Sequence, residues 1–257
     1  MALSWATKRR LIYLSIVLGV FLVLVSFPVI SFITRSTTCF DGRQNQGEVG
    51  VDCGGPCLRL CLSQVTDLIT LWSRALPARE GVYDAVALVE NPNFGGGVRE
   101  ISYSFKLYDK NNLLIVEREG ETFINPNEQL AVFEGGIMTG ERVPARAFFE
   151  FTEVPQWLKV LRNKPDILVK NKKLEGIATR PKLKATLVNQ TLSNVEDIIV
   201  VALLFDRDDN LIAVSKTEVD VLRKDSSKDI TFIWRQTFKG TPLRIDVIPR
   251  TNIVTTD

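Results

Sequence analysis

Histidine is absent from the 257-residue chain, and cysteine occurs only four times. Histidine is the commonest general base, the usual activator of serine and cysteine nucleophiles, and the commonest protein ligand of zinc. Its absence argues against ordinary hydrolases, although an enzyme that uses carboxylates or lysine stays open. We therefore predict a non-catalytic protein without a cofactor, apart from the calcium ion considered below.

A large excess of either charge is also absent, because the net charge of the chain is only +2. Residues 1–35 contain four basic and no acidic side chains, which leaves a net charge of −2 on residues 36–257. A nearly neutral body lacks the basic surface that nucleic-acid binding requires. We predict no nucleic-acid partner.

Long apolar runs are represented by one segment, residues 11–33, which contains no charge. As a helix it would be roughly 35 Å long, enough to cross the bilayer core. Three basic residues precede it and Arg35 alone follows, which places the N-terminus in the cytoplasm. A cleaved signal peptide would have a shorter apolar core of about 7–15 residues and a small-residue cleavage site. We predict a single-pass protein of the cell membrane with a cytoplasmic stub at 1–10, a bilayer-spanning helix at 11–33 and extracytoplasmic domains.

All four cysteines lie within 23 residues, at Cys39, Cys53, Cys57 and Cys61. Outside the cytoplasm cysteines tend to be oxidised, so we predict two disulfides, for which three pairings are open. The spacing contains no C-x-x-C pair, which argues against a zinc site and against a redox-active dithiol. Residues 34–64 are predicted to form a small module in which covalent closure replaces a core.

The same stretch resembles a cysteine-rich motif of secreted bacterial proteins, C-x-D-G-x-x-N-x-x-E-x-x-x-D-C-G-G-x-C. The matching positions are Cys39, Asp41, Gly42, Asn45, Glu48, Asp52, Cys53, Gly54, Gly55 and Cys57. The resemblance implies a module and not an activity.

Four hard oxygen donors of this module are candidate calcium ligands: Asp41, Asn45, Glu48 and Asp52. An EF-hand loop that begins at Asp41 would place Arg43 at its third position and Gln46 at the position that needs glycine, so the stretch is not an EF-hand. A looser calcium loop folded on the disulfides is one hypothesis. The other is that these acids and amides cap turns.

Beyond Ser63 the chain consists of short apolar runs broken by turn residues, a pattern that predicts many strands. Two stretches about 97 residues apart are alike, with Asn91 matching Asn189 and the Tyr108-Asp109 pair matching Phe205-Asp206. We predict a mainly β fold with two tandem antiparallel β-sandwiches of the immunoglobulin or fibronectin type III kind. The predicted bounds are 65–156 for the first domain, 157–165 for a linker, 166–252 for the second domain and 253–257 for a tail.

A hairpin signal occupies the middle of each repeat. In the first, "ISYSFKLY" alternates apolar and polar residues, which predicts a strand with one buried and one exposed face. In the second, "DIIVVALLF" is more continuously apolar, which predicts a strand that is covered on both faces.

The residues Phe105-Lys106-Leu107-Tyr108-Asp109 read FKLYD and resemble the bacterial FxLYD domain. Leu204, Phe205 and Asp206 belong to a second copy that lacks the first aromatic residue. The resemblance implies an antiparallel sandwich on an extracytoplasmic protein, with no established enzymatic activity. We expect structural roles: Phe105 and Leu107 in the core, Tyr108 over the end of the sandwich, and Asp109 capping the turn.

A basic segment, residues 159–184, carries nine bases against two acids, which leaves about −9 on the rest of the outer part. Six of its residues are candidates for contact with an anionic partner: Lys170, Lys172, Lys173, Arg180, Lys182 and Lys184. The alternative is a solvated linker and an edge strand, because lysine at a sheet edge discourages strand-to-strand aggregation.

These features predict a membrane-anchored protein whose sandwiches bind a protein or an envelope polymer, or serve as the scaffold of a surface assembly. The glycines of "NPNFGGGV" could form a flexible binding loop, or serve only to turn the chain. The alternative functions are a carboxylate-based cell-wall enzyme and a chaperone-like accessory of secreted subunits.

Overall fold

The computed structural model describes residues 5–33 and 39–254. Strands account for 51% of the described residues and helix for 12%, which confirms the predicted mainly β fold. The chain divides into two compact units, with the boundary between Cys57 and Leu58.

The first unit contains the apolar helix α1, Trp5–Ile33. Within it, Thr7–Ile30 is long and apolar enough to span a membrane, a property that a signal sequence shares. The helix begins before the predicted span, so residues 5–10 of the predicted stub are helical, and residues 1–4 lie outside the described residues. Pro28 lies in its last turns, where the loss of a backbone N–H is tolerated in a membrane helix.

The cysteine module is built from turns, and residues 34–38 of its predicted range lie outside the described residues. Its backbone has positive φ angles at both Gly54 and Gly55. A Cβ atom on Gly55 would lie 2.0 Å from the carbonyl oxygen of Gly47, so this crossing of two turns requires glycine.

The first sandwich of the second unit consists of two antiparallel sheets, β1-β2-β5 and β4-β3-β6, with the short strand β7 paired to the start of β3. The strands are β1 Ile69–Arg79, β2 Val82–Asn91, β3 Gly96–Tyr108, β4 Leu114–Ile124, β5 Glu128–Met138, β6 Arg146–Phe151 and β7 Trp157–Lys159.

The second sandwich repeats this plan with the sheets β8-β9-β12 and β11-β10-β13. Its strands are β8 Ile167–Glu175, β9 Lys182–Asn189, β10 Val195–Phe205, β11 Leu211–Leu222, β12 Ser227–Ile233 and β13 Arg244–Arg250. Strand for strand, β8 to β13 correspond to β1 to β6.

Each sandwich has its own apolar core. In the first, the rings of Tyr103, Phe105 and Phe149 pack with centroids 5.0–5.8 Å apart. In the second, buried aliphatic residues such as Leu187 and Leu204 pack around Phe232. The alternation that predicted these core residues is local, and both cores form where it places them.

A third apolar core joins the two sandwiches by stacking the sheet β1-β2-β5 on the sheet β11-β10-β13. Its buried members are Val86, Ala131, Val201, Leu203, Phe205 and Val214. Strand β10 contributes alternate residues to this core and to the core of its own sandwich, so it is covered on both faces as predicted. Full burial of a large apolar side chain contributes roughly 1.5–3 kcal/mol, so this junction is a substantial part of the fold.

The predicted linker and tail both take part in the folded unit. The linker range 157–165 begins with β7, whose Trp157 is buried against the first sandwich. In the tail range 253–257, Ile253 and Val254 are buried, and the Ile253 backbone N–H donates to Asn125 Oδ1 at 3.2 Å. Residues 255–257 lie outside the described residues. Segments this short carry no periodic signal, which is why the pattern did not distinguish them from connections.

Of the two interpretations of the glycine loop, a flexible loop does not extend to the C-terminal end of the stretch. Gly96 and Gly97 begin β3 and pair with β7. A Cβ atom on Gly97 would lie 2.6 Å from Val254 Cγ2 and 2.9 Å from the Ile124 oxygen. These glycines therefore permit close packing of the chain.

Candidate functional site

The four cysteines form two disulfides, Cys39–Cys57 and Cys53–Cys61. This confirms the prediction of two disulfides and selects one of the three pairings. The first bridge closes a loop with a sequence separation of 18 residues. A loop of that length restricts the unfolded chain enough to stabilise the fold by about 3 kcal/mol on the chain-entropy model.

Two of the candidate calcium ligands hold turns through hydrogen bonds. The Asp52 carboxylate accepts the backbone N–H groups of Asp41 at 2.9 Å and of Gly42 at 3.0 Å. The Asp41 carboxylate accepts the backbone N–H of Arg43 at 2.9 Å and the side-chain amide of Asn45 at 2.8 Å. These bonds support the turn-capping interpretation.

The other two candidate calcium ligands, Asn45 and Glu48, are adjacent and include buried polar atoms. Glu48 is 8% exposed, and its Oε2 accepts the Asn45 backbone N–H at 3.2 Å. Asn45 Oδ1 is buried without a hydrogen-bond partner. Glu48 also forms a compact group with Cys39 Sγ and Cys57 Sγ, within 4.8 Å of one another, but the two sulfurs are bonded to each other and are not thiolate ligands. Calcium binding stays a prediction.

A cleft of about 460 Å³ lies at the junction of the two sandwiches. It is lined by the end of β1, residues of β2 and β5, the start of β11, the last residue of β12 and the connection that follows it, residues 234–239. The rings of Trp234 and Phe238 meet edge to face at 5.2 Å on this connection. The indole N–H of Trp234 donates to the Val214 carbonyl oxygen at 2.8 Å, which fixes the connection to β11.

The charged residues that line this cleft are mainly basic. Arg79, Arg235 and Lys239 are exposed, whereas Asp84 is half-buried. Burial raises the pKa of Asp84, and the hydrogen bond that its carboxylate accepts from the Gly136 backbone N–H at 2.9 Å opposes this shift. Three cations and one carboxylate suit an anionic ligand. A glycosidase needs two acids about 5–10 Å apart, and the described residues that line this cleft supply one carboxylate.

A buried ion pair lies in the same unit, between β5 and β13. The Arg250 guanidinium Nη2 is 2.6 Å from Glu128 Oε1, and both side chains are almost fully buried. The guanidinium also donates to the Phe123 carbonyl oxygen and lies 4.2 Å from the centroid of the Phe123 ring. These contacts satisfy an otherwise costly buried charge and join the start of β5 in the first sandwich to the end of β13 in the second.

The FxLYD-like residues have structural positions. Phe105, Leu107 and Leu204 are fully buried and Phe205 nearly so, while Tyr108 is half-buried. Asp109 Oδ1 accepts the backbone N–H groups of residues 111 and 113, and Asp206 Oδ1 accepts those of residues 208 and 210, at 2.8–3.0 Å. These backbone hydrogen bonds lower the pKa of both carboxyl groups.

The six basic candidates divide between different surroundings. Lys170, Lys173, Lys182 and Lys184 lie on the outer face of the sheet β8-β9-β12. Lys172 Nζ donates to the Ile245 carbonyl oxygen of the other sheet at 2.7 Å, and Arg180 lies in the connection between β8 and β9. Hydrogen bonds from Lys173 and Lys184 lower the pKa of Glu175 to about 2. Strand β8 is an edge strand, the position at which lysine was expected to discourage aggregation.

No family model matches the chain, and no curated protein matches it. Among solved structures, a red sea bream transglutaminase matches with 10% identity and a TM-score of 0.22. The match covers 72% of this chain and spans 29% of the transglutaminase chain. A similarity this low carries no argument about activity.

Proposed function

We propose that the chain is a non-catalytic, membrane-anchored extracytoplasmic protein that presents a rigid pair of β-sandwiches for binding a protein or an envelope polymer. The observation that carries this proposal is the third core, because it holds the sandwiches in one arrangement and forms the cleft between them. The same rigidity suits the scaffold of a surface assembly.

The chemistry of the cleft favours an anionic partner with apolar groups. The basic side chains of Arg79, Arg235 and Lys239 supply charge, and Trp234 and Phe238 supply apolar surface. Both sandwiches line the cleft, so its shape depends on their stacking. An acidic segment of a protein or an anionic polymer matches this lining.

In vivo photo-crosslinking tests this function and separates it from its alternatives. A photoreactive residue at Lys239 in the cleft is expected to capture one stable neighbour, whereas the same residue at Lys216, which does not line the cleft, is expected to capture none. Capture of many transient secreted proteins would indicate a chaperone-like accessory. Activity against cell-wall polymers that Asp84→Asn abolishes would indicate the carboxylate enzyme. Equal labelling at both positions would contradict a binding cleft.

The anchoring part of the proposal has its own test. If the basic residues that precede the apolar segment 11–33 keep the N-terminus in the cytoplasm, a protease added to intact cells removes the sandwiches and spares an N-terminal tag. Charge reversal at Lys8, Arg9 and Arg10 is expected to increase the fraction with the opposite topology. Protection of the sandwiches in the unmodified chain would overturn the assignment.

We further propose that the cysteine module, which lies between the helix and the sandwiches along the chain, is a connection stiffened by its disulfides. Calcium is its candidate ligand. The buried oxygen of Asn45 is the observation that favours calcium. Calorimetry of the full chain in detergent is expected to give calcium-dependent heat that Asn45→Ala reduces and Asp206→Asn, in a distant turn, does not. No heat at millimolar calcium would leave the turn-capping role as the whole function of these residues.

A further inference from the structure

The stacking inside the chain leaves one sheet of each sandwich uncovered in the part that the structure describes. The covered sheets are β1-β2-β5 of the first sandwich and β11-β10-β13 of the second. The uncovered sheets are therefore β4-β3-β6 and β8-β9-β12. In the repeat, the sheet β8-β9-β12 corresponds to β1-β2-β5, and β4-β3-β6 corresponds to β11-β10-β13. The two uncovered sheets are therefore of the same two kinds as the sheets that stack inside the chain, but each kind now comes from the other sandwich.

The uncovered face of the first sandwich is acidic. Cross-strand partners share a face, so the partners of Ser104 and Lys106 on β4 and β6 point outward with them. We call the outer side chains the acidic face: Lys106, Glu117, Glu119, Glu121, Arg146, Phe148 and Glu150. Four glutamates against two bases give this face a net charge of −2, and Phe148 on the edge strand β6 is half exposed.

The uncovered face of the second sandwich carries the opposite charge. Its outer side chains, the basic face, include four of the six basic residues singled out in the sequence. They are Lys170, Lys173, Glu175, Lys182, Lys184, Thr186, Asp229, Thr231 and Ile233. The net charge is +2, equal and opposite to that of the acidic face, and Ile233 supplies an exposed apolar side chain.

We infer that the chain associates with further copies of itself head to tail, with the acidic face of one copy stacked on the basic face of the next. Two observations select a second copy as the partner: the charges of the two faces match, and the pairing repeats the kind of sheet stacking already present in the chain. A contact between two identical faces would oppose like charges, so the interface is heterologous.

The size of the faces determines the strength of this association. Three strands of about six residues form a face of roughly 20 by 14 Å, so one contact buries about 560 Å² in total. Stable interfaces bury more than about 1,000 Å², and exposed ion pairs contribute little. The association is therefore weak and sensitive to salt, and it depends on the high local concentration that the proposed membrane anchor provides.

Two charge reversals test the inference in the full chain. Glu119→Lys with Glu121→Lys changes the acidic face to +2, and Lys170→Glu with Lys182→Glu changes the basic face to −2. These substitutions spare the ion pairs of Lys106 and Glu175. Chains labelled at the N-terminus with donor and acceptor dyes are reconstituted in liposomes, and energy transfer is measured against protein density.

The expected pattern is specific to a heterologous contact. The unmodified chain shows transfer above the level of random encounters, and about 0.5 M salt reduces it because screening then acts over a few ångströms. Each reversed variant alone falls to the random level. An equal mixture of the two variants, and a single chain with all four substitutions, regain transfer.

A charge-matched control and a flotation measurement complete the design. Glu218→Lys with Asp220→Lys, on β11 and outside both faces, is expected to leave transfer unchanged. Circular dichroism verifies that every variant is folded. Failure of the chain to float with liposomes would count against the proposed anchor. Flotation without transfer above the random level, or transfer that the reversals leave unchanged, would overturn the self-association.

Discussion

The two sandwiches share one strand plan and differ in which sheet carries a second apolar face. The outward positions of β3 are polar or half-exposed, whereas the equivalent positions of β10 are apolar and packed against the neighbouring sandwich. The equivalent pairs are Ser102 and Ile199, Ser104 and Val201, Lys106 and Leu203, and Tyr108 and Phe205. A repeat can therefore keep its fold while a few outward residues decide where its neighbour docks.

The other sheet shows the reverse difference. On β2 the outward residues include Val86 and Leu88, and the equivalent residues on β9 are Lys184 and Thr186. Each sandwich thus has one apolar and one charged outer face, on opposite sheets. This arrangement explains why the sandwiches stack in one order and why their charged faces remain outside.

The largest expected effect comes from exchanging one of these outward residues. Leu203→Lys introduces into the third core the residue type found at the equivalent Lys106, and a buried charge without a partner is expected to cost about 4 kcal/mol or more. The reciprocal Lys106→Leu removes only partly exposed ion pairs and is expected to cost much less. Denaturant unfolding in detergent, followed by tryptophan fluorescence, measures both. Equal losses of unfolding free energy for the two variants would contradict the difference between the outward faces of β3 and β10.

The amino-acid sequence alone carries the difference that this exchange tests. The run "DIIVVALLF" predicts a strand covered on both faces, and the alternation around Phe105 predicts a strand covered on one. Side-chain periodicity, turn-capping aspartates and a charge-free helix are local signals, so they predict the fold class and the hairpins. They do not predict which sheet meets which.

Glu128→Ala tests the buried ion pair and is expected to cost about 3–5 kcal/mol, because it leaves the Arg250 guanidinium buried without its counter-charge. The double variant Glu128→Leu with Arg250→Met replaces both charges with apolar groups and is expected to recover most of that loss. Chemical denaturation measures both variants. A double variant that is less stable than Glu128→Ala would mean that the pair itself, and not the orphaned charge, sets the cost.

The sequence pattern predicts neither this ion pair nor the cleft. Glu128 and Arg250 are 122 residues apart, and each looks like an ordinary surface charge beside a strand. Arg79 and Lys239 reach the same cleft from different sandwiches. Their proximity depends on how the sheets stack, a long-range arrangement that no local period encodes.

The repeated asparagines provide a test of intermediate size. Asn91 Nδ2 donates to two carbonyl oxygens, whereas Asn189 Nδ2 donates to three. Substitution by alanine leaves these buried acceptors unsatisfied, at an expected cost of about 1–3 kcal/mol for either variant, with the larger loss for Asn189→Ala. Asn163→Ala, at an exposed position, is the control, with an expected change within about 0.5 kcal/mol. A larger loss for Asn91→Ala would contradict the count of acceptors as the deciding factor.

The smallest expected effect concerns the two capping aspartates. The backbone N–H of Leu113 is the main cause of the lowered pKa of Asp109, and that of Asn210 is the main cause for Asp206. A folded-state pKa below the unfolded value of about 3.9 stabilises the fold above that pH, and this contribution is lost as the pH falls through the folded-state pKa. Asp109→Asn and Asp206→Asn should therefore lower the melting temperature slightly at pH 7, and the difference from the unmodified chain should shrink below about pH 4.

Asp109 is also 3.2 Å from Arg142, so only its effect should weaken with added salt. Identical salt dependence of the two variants would show that the hairpins are equivalent in this respect as well.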